Sequence, residues 1–115
     1  MKKIAILGQK GGSGKTTIAP ALAVRAAADR KSVALVDLDP QGSATLWADR
    51  RDGDNPAVIA CPIFQLRKML DKAEEGGADF AMIDTPGKIE NAAVEAAKVA
   101  DLVLIPVRAT AFDLD

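Results

Sequence analysis

Strand and helix patterns alternate along the whole of this chain. That alternation predicts an α/β protein with a doubly wound, mostly parallel sheet and helices on both faces. Two further observations agree. Apolar residues make up 49% of the 115 residues while aromatics make up 3%. The core must therefore be assembled from Ala, Val, Ile and Leu, which suits buried parallel strands under close-packed helices. In addition, the segments with distinctive chemistry all follow apolar strands, where ligands bind in open α/β sheets.

The elements follow in order. Residues 3–7 form a short apolar run, read as a buried strand. From Gly14 to about Ala28 an alanine-rich stretch reads as a helix, ended by residues 29–31. Pro20 falls inside it, removes the hydrogen bond to the Thr16 carbonyl and predicts a local kink. Residues 32–36 are a second strand, followed by the loop Asp37-Leu38-Asp39-Pro40-Gln41-Gly42. A short helix is expected over residues 44–50, then a polar loop over 51–56. Residues 57–60 are a weak strand. Ile63, Leu66, Leu70 and Ala73 share one helical face, and Gly76-Gly77 stops that helix. Residues 80–83 are a strand and Asp84-Thr85-Pro86-Gly87 the turn after it. Residues 90–100 are a helix with an alanine face at Ala93, Ala96, Ala97 and Ala100, and residues 102–107 are a last strand. Phe112 to Asp115 reads as the beginning of another helix. One domain over residues 1–115 is expected, incomplete at its C-terminus.

The run Lys10-Gly11-Gly12-Ser13-Gly14-Lys15-Thr16-Thr17 lies between the first strand and the first helix. Three glycines in four positions let the backbone curl its N–H groups around an anion, and the helix that opens there adds its positive end. Lys15 is placed to reach the β- and γ-phosphates of a nucleotide, and the Thr16 hydroxyl to hold Mg2+. The usual pattern starts with a glycine five residues before the glycine of the Gly-Lys pair; here Gln9 stands at that position and Gly8 one residue earlier.

Acidic residues occupy the ends of the next strands. Asp84 follows Phe80-Ala81-Met82-Ile83, as does the acid that reaches Mg2+ in nucleotide-binding sheets; a cap or turn aspartate is the alternative reading. Asp37 and Asp39 alternate around Leu38 and so point the same way at the mouth of the sheet. Together they can hold Mg2+ and orient a water, or simply cap the following turn.

Composition narrows the chemistry. The chain lacks histidine and tyrosine, which removes histidine general-base catalysis and histidine metal sites. Fifteen basic and 16 acidic residues give a net charge of −1, so no basic excess advertises nucleic-acid binding by this segment. The single cysteine, Cys61, forms no disulfide framework and reads as a small core hydrophobe. No apolar run approaches the roughly 20 residues of a membrane span, and the glycines from Gly8 onward interrupt any signal-peptide core.

Taken together, Lys10-Gly-Gly-Ser-Gly-Lys15-Thr-Thr, Asp37-Leu-Asp-Pro-Gln-Gly42, Ile83-Asp-Thr-Pro-Gly87 and Leu104-Ile-Pro-Val107 resemble the ParA/MinD ATPases with a deviant Walker A motif. The Asp-Leu-Asp-Pro-Gln-Gly loop points to the ParA branch of small plasmid and chromosome partition proteins rather than to MinD-like division-site proteins. The resemblance implies a P-loop NTPase fold, ATP and Mg2+ as ligands, and hydrolysis of ATP. It makes residues 10–17 the nucleotide loop. Lys10 becomes the signature lysine that reaches the partner's phosphates in an ATP-bound homodimer, and Asp39 the acid that positions the attacking water. Thr16, Asp37 and Asp84 become the Mg2+ set, with residues 37–42 and 84–87 as switch segments. It further implies a cytoplasmic, nucleoid-associated bacterial protein with a ParB-type adaptor, and nonspecific DNA binding by the full-length dimer. Members of that family run longer than this chain, so a nucleotide-binding module without turnover is the competing expectation.

Overall fold

A computed structural model describes residues 1–7, 15–38, 55–85 and 90–105; for residues 15–21 the description is of the backbone. Five strands form one sheet: β1 (Lys2–Ile6), β2 (Val33–Asp37), β3 (Ala57–Ala60), β4 (Phe80–Asp84) and β5 (Leu102–Leu104). Their spatial order is β3-β2-β4-β1-β5, and every neighbouring pair is parallel. Among the described residues, three α-helices connect them: α1 (Lys15–Ala28), α2 (Leu66–Glu75) and α3 (Glu90–Val99).

The distribution of helices follows from handedness. The step from β1 to β2 crosses the sheet one way, while β3 to β4 and β4 to β5 cross it the other way. Right-handed crossovers therefore place α1 on one face and α2 and α3 on the opposite face. The two halves of the core record this. Ala23 of α1 is buried with Ile6, Val33, Leu35 and Met82, and Leu22, Ala26 and Ala27 pack against them. Leu66 and Leu70 of α2 and Ala92 and Ala96 of α3 are buried with Ala5, Val36, Ala81 and Ile83. Successive strand residues thus serve opposite faces, and β2 is buried along its full length. This is the doubly wound α/β architecture expected from the alternation of elements.

Several boundaries differ from expectation. The strands ending at Asp37 and Asp84 include those acids, because the backbone ladder continues past the apolar run. The Leu38 N–H donates to the Asp84 carbonyl at 2.9 Å and the Cys61 N–H to the Asp37 carbonyl at 3.1 Å. The helix after Pro62 opens with a 3-10 turn, Ile63–Gln65, before α2. On α3 the buried alanines are Ala92 and Ala96, with Val99 and Ala100 packed against the core, while Ala97 faces solvent. Alanine at nearly every position hides which face a helix buries. α1 continues through Pro20 as one helix. The expected helix at 44–50, the end of the last strand at 106–107 and the helix start at 112–115 lie outside the described residues.

At the edge where strands begin, acidic or amide side chains staple neighbouring strands together. The Asn55 carbonyl oxygen accepts from Val33 N–H at 3.0 Å while its amide donates to the Lys31 carbonyl at 2.8 Å. Asp79 accepts from Ser32 N–H at 2.8 Å and donates its own N–H back to Ser32. Asp101 accepts from Lys3 N–H at 2.9 Å and returns its N–H to the Lys3 carbonyl. The Lys3 N–H, followed by the charges of Lys3 and Lys2, holds the exposed Asp101 carboxyl below its usual range.

α1 and α2 end in the same hydrogen-bonded motif. In α1, Arg30 N–H donates to Ala27 and Lys31 N–H to Ala26; in α2, Gly77 N–H donates to Glu74 and Ala78 N–H to Ala73. The motif needs a left-handed residue at its turn. Gly77 supplies it with φ 89°, and Arg30 does so with φ 65°. A side chain there is strained, so Arg30→Gly should raise stability by about 0.5–1 kcal/mol. A Cβ at Gly77 would meet nothing within 4 Å, so Gly77→Ala should cost about 1 kcal/mol from backbone strain alone. Paired denaturant titrations check both; equal midpoints for the wild type and Arg30→Gly would refute the strain at Arg30.

Candidate nucleotide site at the carboxyl edge of the sheet

The strands β1, β4 and β2 end level with one another. Ile6 is in register with Asp84, and Asp84 with Asp37. Adjacent strands lie ~4.8 Å apart, so the two carboxylates stand side by side. Leu35 and Met82, two residues earlier on the same strands, pack with Ala23 of α1. By the two-residue period of a strand, Asp37 and Asp84 point to the face that α1 covers. Both are buried, each 1% exposed, and neither lacks an interaction.

α1 brings the other component. Its last turn joins β2 through residues 29–32, so its C-terminal end lies where the strands begin. A 14-residue helix is ~21 Å long, enough to cross the sheet. Its first residues, Lys15-Thr16-Thr17, therefore lie toward the carboxyl edge, on the face to which the two acids point. The partial positive charge of the helix start is directed there. A helix N-terminus beside paired carboxylates suits a ligand that is anionic in one part and carries a cation in another, as a magnesium nucleotide does.

The donor chemistry fits Mg2+. That ion is held by one or two carboxylates plus substrate phosphates and keeps several waters, rather than sitting in an all-protein cage. Among the described residues there is no cluster of three or more His, Cys, Asp or Glu, and the two carboxylates are what a shared, hydrated ion requires. Burial first, and the Asp37 charge second, push the neighbouring Cys61 thiol above its usual range.

Of the residues singled out in the sequence, Asp37 and Asp84 are brought together and the backbone of Lys15, Thr16 and Thr17 opens α1. Lys10, Gly11, Gly12, Ser13, Gly14 and Asp39 lie outside the described residues. Thr85, placed by the sequence only within the 84–87 segment and given no role of its own, is fully buried and donates both its N–H, at 3.2 Å, and its hydroxyl, at 3.0 Å, to the Ile6 carbonyl. A hydroxyl residue directly after a strand-end acid was the available signal. Cavities of ≈ 460 and ≈ 360 Å3 lie elsewhere. One is lined by Phe64, Asn91 and Glu95 among others, and the second by Met1, Asp71 and Lys98 among others. Neither of these two includes the paired acids.

A parallel sheet whose strand-end acids stand beside a helix opened by a glycine-lysine run defines a P-loop nucleotide-binding domain. The chain belongs to the CobQ/CobB/MinD/ParA nucleotide-binding domain family, whose model matches residues 4–110. It is 38% identical to the maintenance of carboxysome distribution protein A of Gloeobacter kilaueensis, over 96% of this chain and 51% of the relative. It is 30% identical to protein ParA of Rhizobium radiobacter, over 98% of this chain and 51% of the relative. To the chromosome-partitioning ATPase Soj of Thermus thermophilus it is 30% identical, over 100% of this chain and 58% of that protein. The chain thus spans about half the length of the curated relatives it matches. No helix among the described residues is long and apolar enough to cross a membrane.

Proposed function

We propose that this chain is the nucleotide-binding part of a Mg2+-dependent ATPase, one whose ATP-bound form pairs two copies and whose hydrolysis releases them, used to distribute DNA within the cell. The observation that carries the reading is the row of strand ends in which Asp84 and Asp37 stand level beside β1, on the face where α1 begins. The names of the relatives, a partition protein, a chromosome-partitioning ATPase and a carboxysome distribution protein, favour transport of a large cargo over metabolism of a small molecule. The Asp37–Gly42 loop favours the DNA-partition branch over a membrane-associated division protein.

Each residue has a role in this reading. The N–H groups of residues 11–16 hold the phosphates and Lys15 places a positive charge on them. Thr16, Asp37 and Asp84 hold Mg2+, which when bound neutralises charge on the phosphates undergoing transfer. Asp39 orients the attacking water. Lys10 acts on the second copy's nucleotide as a cation supplied in trans, comparable to an arginine finger. A ParB-type adaptor and nonspecific DNA act on the paired form of the whole protein.

Phosphate release from ATP, followed across a range of protein concentrations with and without nonspecific DNA, tests the switch. Rate per molecule should rise with concentration, because the paired form is the active one, and the rise should vanish in Lys10→Ala. A rate per molecule independent of concentration and unchanged by Lys10→Ala would leave a nucleotide-binding protein without the dimer switch.

A further inference from the structure

Thr85, fully buried, joins a defined geometry to the carboxyl end of the sheet. Rows of backbone hydrogen bonds cross that edge. Leu7 N–H donates to Leu104, Thr85 N–H to Ile6, Leu38 N–H to Asp84 and Cys61 N–H to Asp37. At one rung the bond is doubled, since the Ile6 carbonyl also accepts from the Thr85 hydroxyl. Ile6 is the last residue of β1, the strand that leads into the glycine run. Thr85 directly follows Asp84, the acid nearest that strand.

We infer that Thr85 is a positioning residue: its hydroxyl bolts the end of β4 to the end of β1 and so fixes Asp84 relative to the start of the nucleotide loop. The physical reason is the two-donor grip on one carbonyl. A single backbone rung at a strand end frays more easily than one inside the ladder. A second, side-chain rung on the same acceptor resists that fraying. Holding Asp84 still matters because displacement of a positioning group by ~1 Å can cost ~10²-fold in rate. The inference rests on the nucleotide reading above for its functional part, while the clamp itself stands on the hydrogen bonds.

The test compares Thr85→Val, which keeps the shape and removes the hydroxyl, with Thr85→Ser, which restores it. Two readouts are taken on the chain. In amide hydrogen exchange, Thr85→Val should speed exchange at Leu7 and Thr85 while leaving Lys2 and Asp79, at the opposite edge, unchanged, and Thr85→Ser should exchange like the wild type. In phosphate release from ATP, Thr85→Val should need about tenfold more Mg2+ for half-maximal rate, with ATP KM unchanged at saturating Mg2+, as expected when a metal-holding acid is misplaced. A variant that merely lowered the folded fraction would reduce the maximal rate without moving the Mg2+ midpoint. Unchanged exchange at Leu7 and Thr85, or an unshifted Mg2+ midpoint in an active enzyme, overturns the inference. If Thr85→Val does not fold, Thr85→Ala read by the same two measurements replaces it. If the wild type neither binds nor hydrolyses ATP, the nucleotide reading fails, while the clamp is still judged on exchange.

Discussion

Asp84→Asn is expected to lower Mg2+-dependent ATP turnover by about 10²-fold or more, the scale of removing one preorganised charged group from a transition state. Asp37→Asn should lower it less. Both are buried at the same level of the sheet, so burial does not distinguish them. Position does. Asp84 is in register with Ile6 on β1, the strand that delivers the nucleotide loop, whereas Asp37 stands one strand further away, ~4.8 Å more distant. The amide is isosteric and the backbone ladder is untouched, so both variants should keep the fold, which circular dichroism can verify. A Mg2+ titration of phosphate release ranks the two. A damaging Asp37→Asn beside a silent Asp84→Asn would mean that the acids are not arranged around a nucleotide delivered by β1.

Lys15→Ala and Lys10→Ala should fail in different ways. Lys15 is the first residue of α1 and, in the proposed function, acts on nucleotide held by its own copy. Its loss should weaken ATP binding itself, seen as loss of the ATP-dependent rise in melting temperature. Lys10→Ala should still bind ATP in the single copy but lose hydrolysis by about 10³-fold or more, the scale of a cation supplied in trans. Binding by fluorescence anisotropy of a labelled ATP analogue, set beside phosphate release, separates the two. Loss of binding in both variants would make Lys10 an ordinary part of the loop.

Much of this was legible in the sequence because the strands are buried on both faces. Residues 4–6, 33–36 and 80–83 read as continuous apolar runs, and runs of that kind mark parallel strands. The chemistry-bearing segments each follow a strand, which points to the carboxyl edge of the sheet. What escaped were interactions that leave no periodic trace. Asp37 and Asp84 looked like loop residues because a polar side chain follows an apolar run, yet backbone pairing is indifferent to side-chain polarity and carried the ladder through them. Arg30 gave no sign of a left-handed turn, since Gly or Asn is the usual signal. The staples made by Asn55, Asp79 and Asp101, and the double grip of Thr85 on Ile6, join residues 22 to 98 positions apart, beyond the reach of local pattern. On α3 an excess of alanine concealed the buried face.

The carboxyl edge of this sheet is expected to hold a magnesium nucleotide. The most direct measurement is ATP binding and phosphate release by the chain with Mg2+, with EDTA in its place, and by Lys15→Ala with Mg2+. Binding and slow release that require Mg2+ and are lost in Lys15→Ala are the predicted result. Binding that is indifferent to both Mg2+ and Lys15 would contradict it.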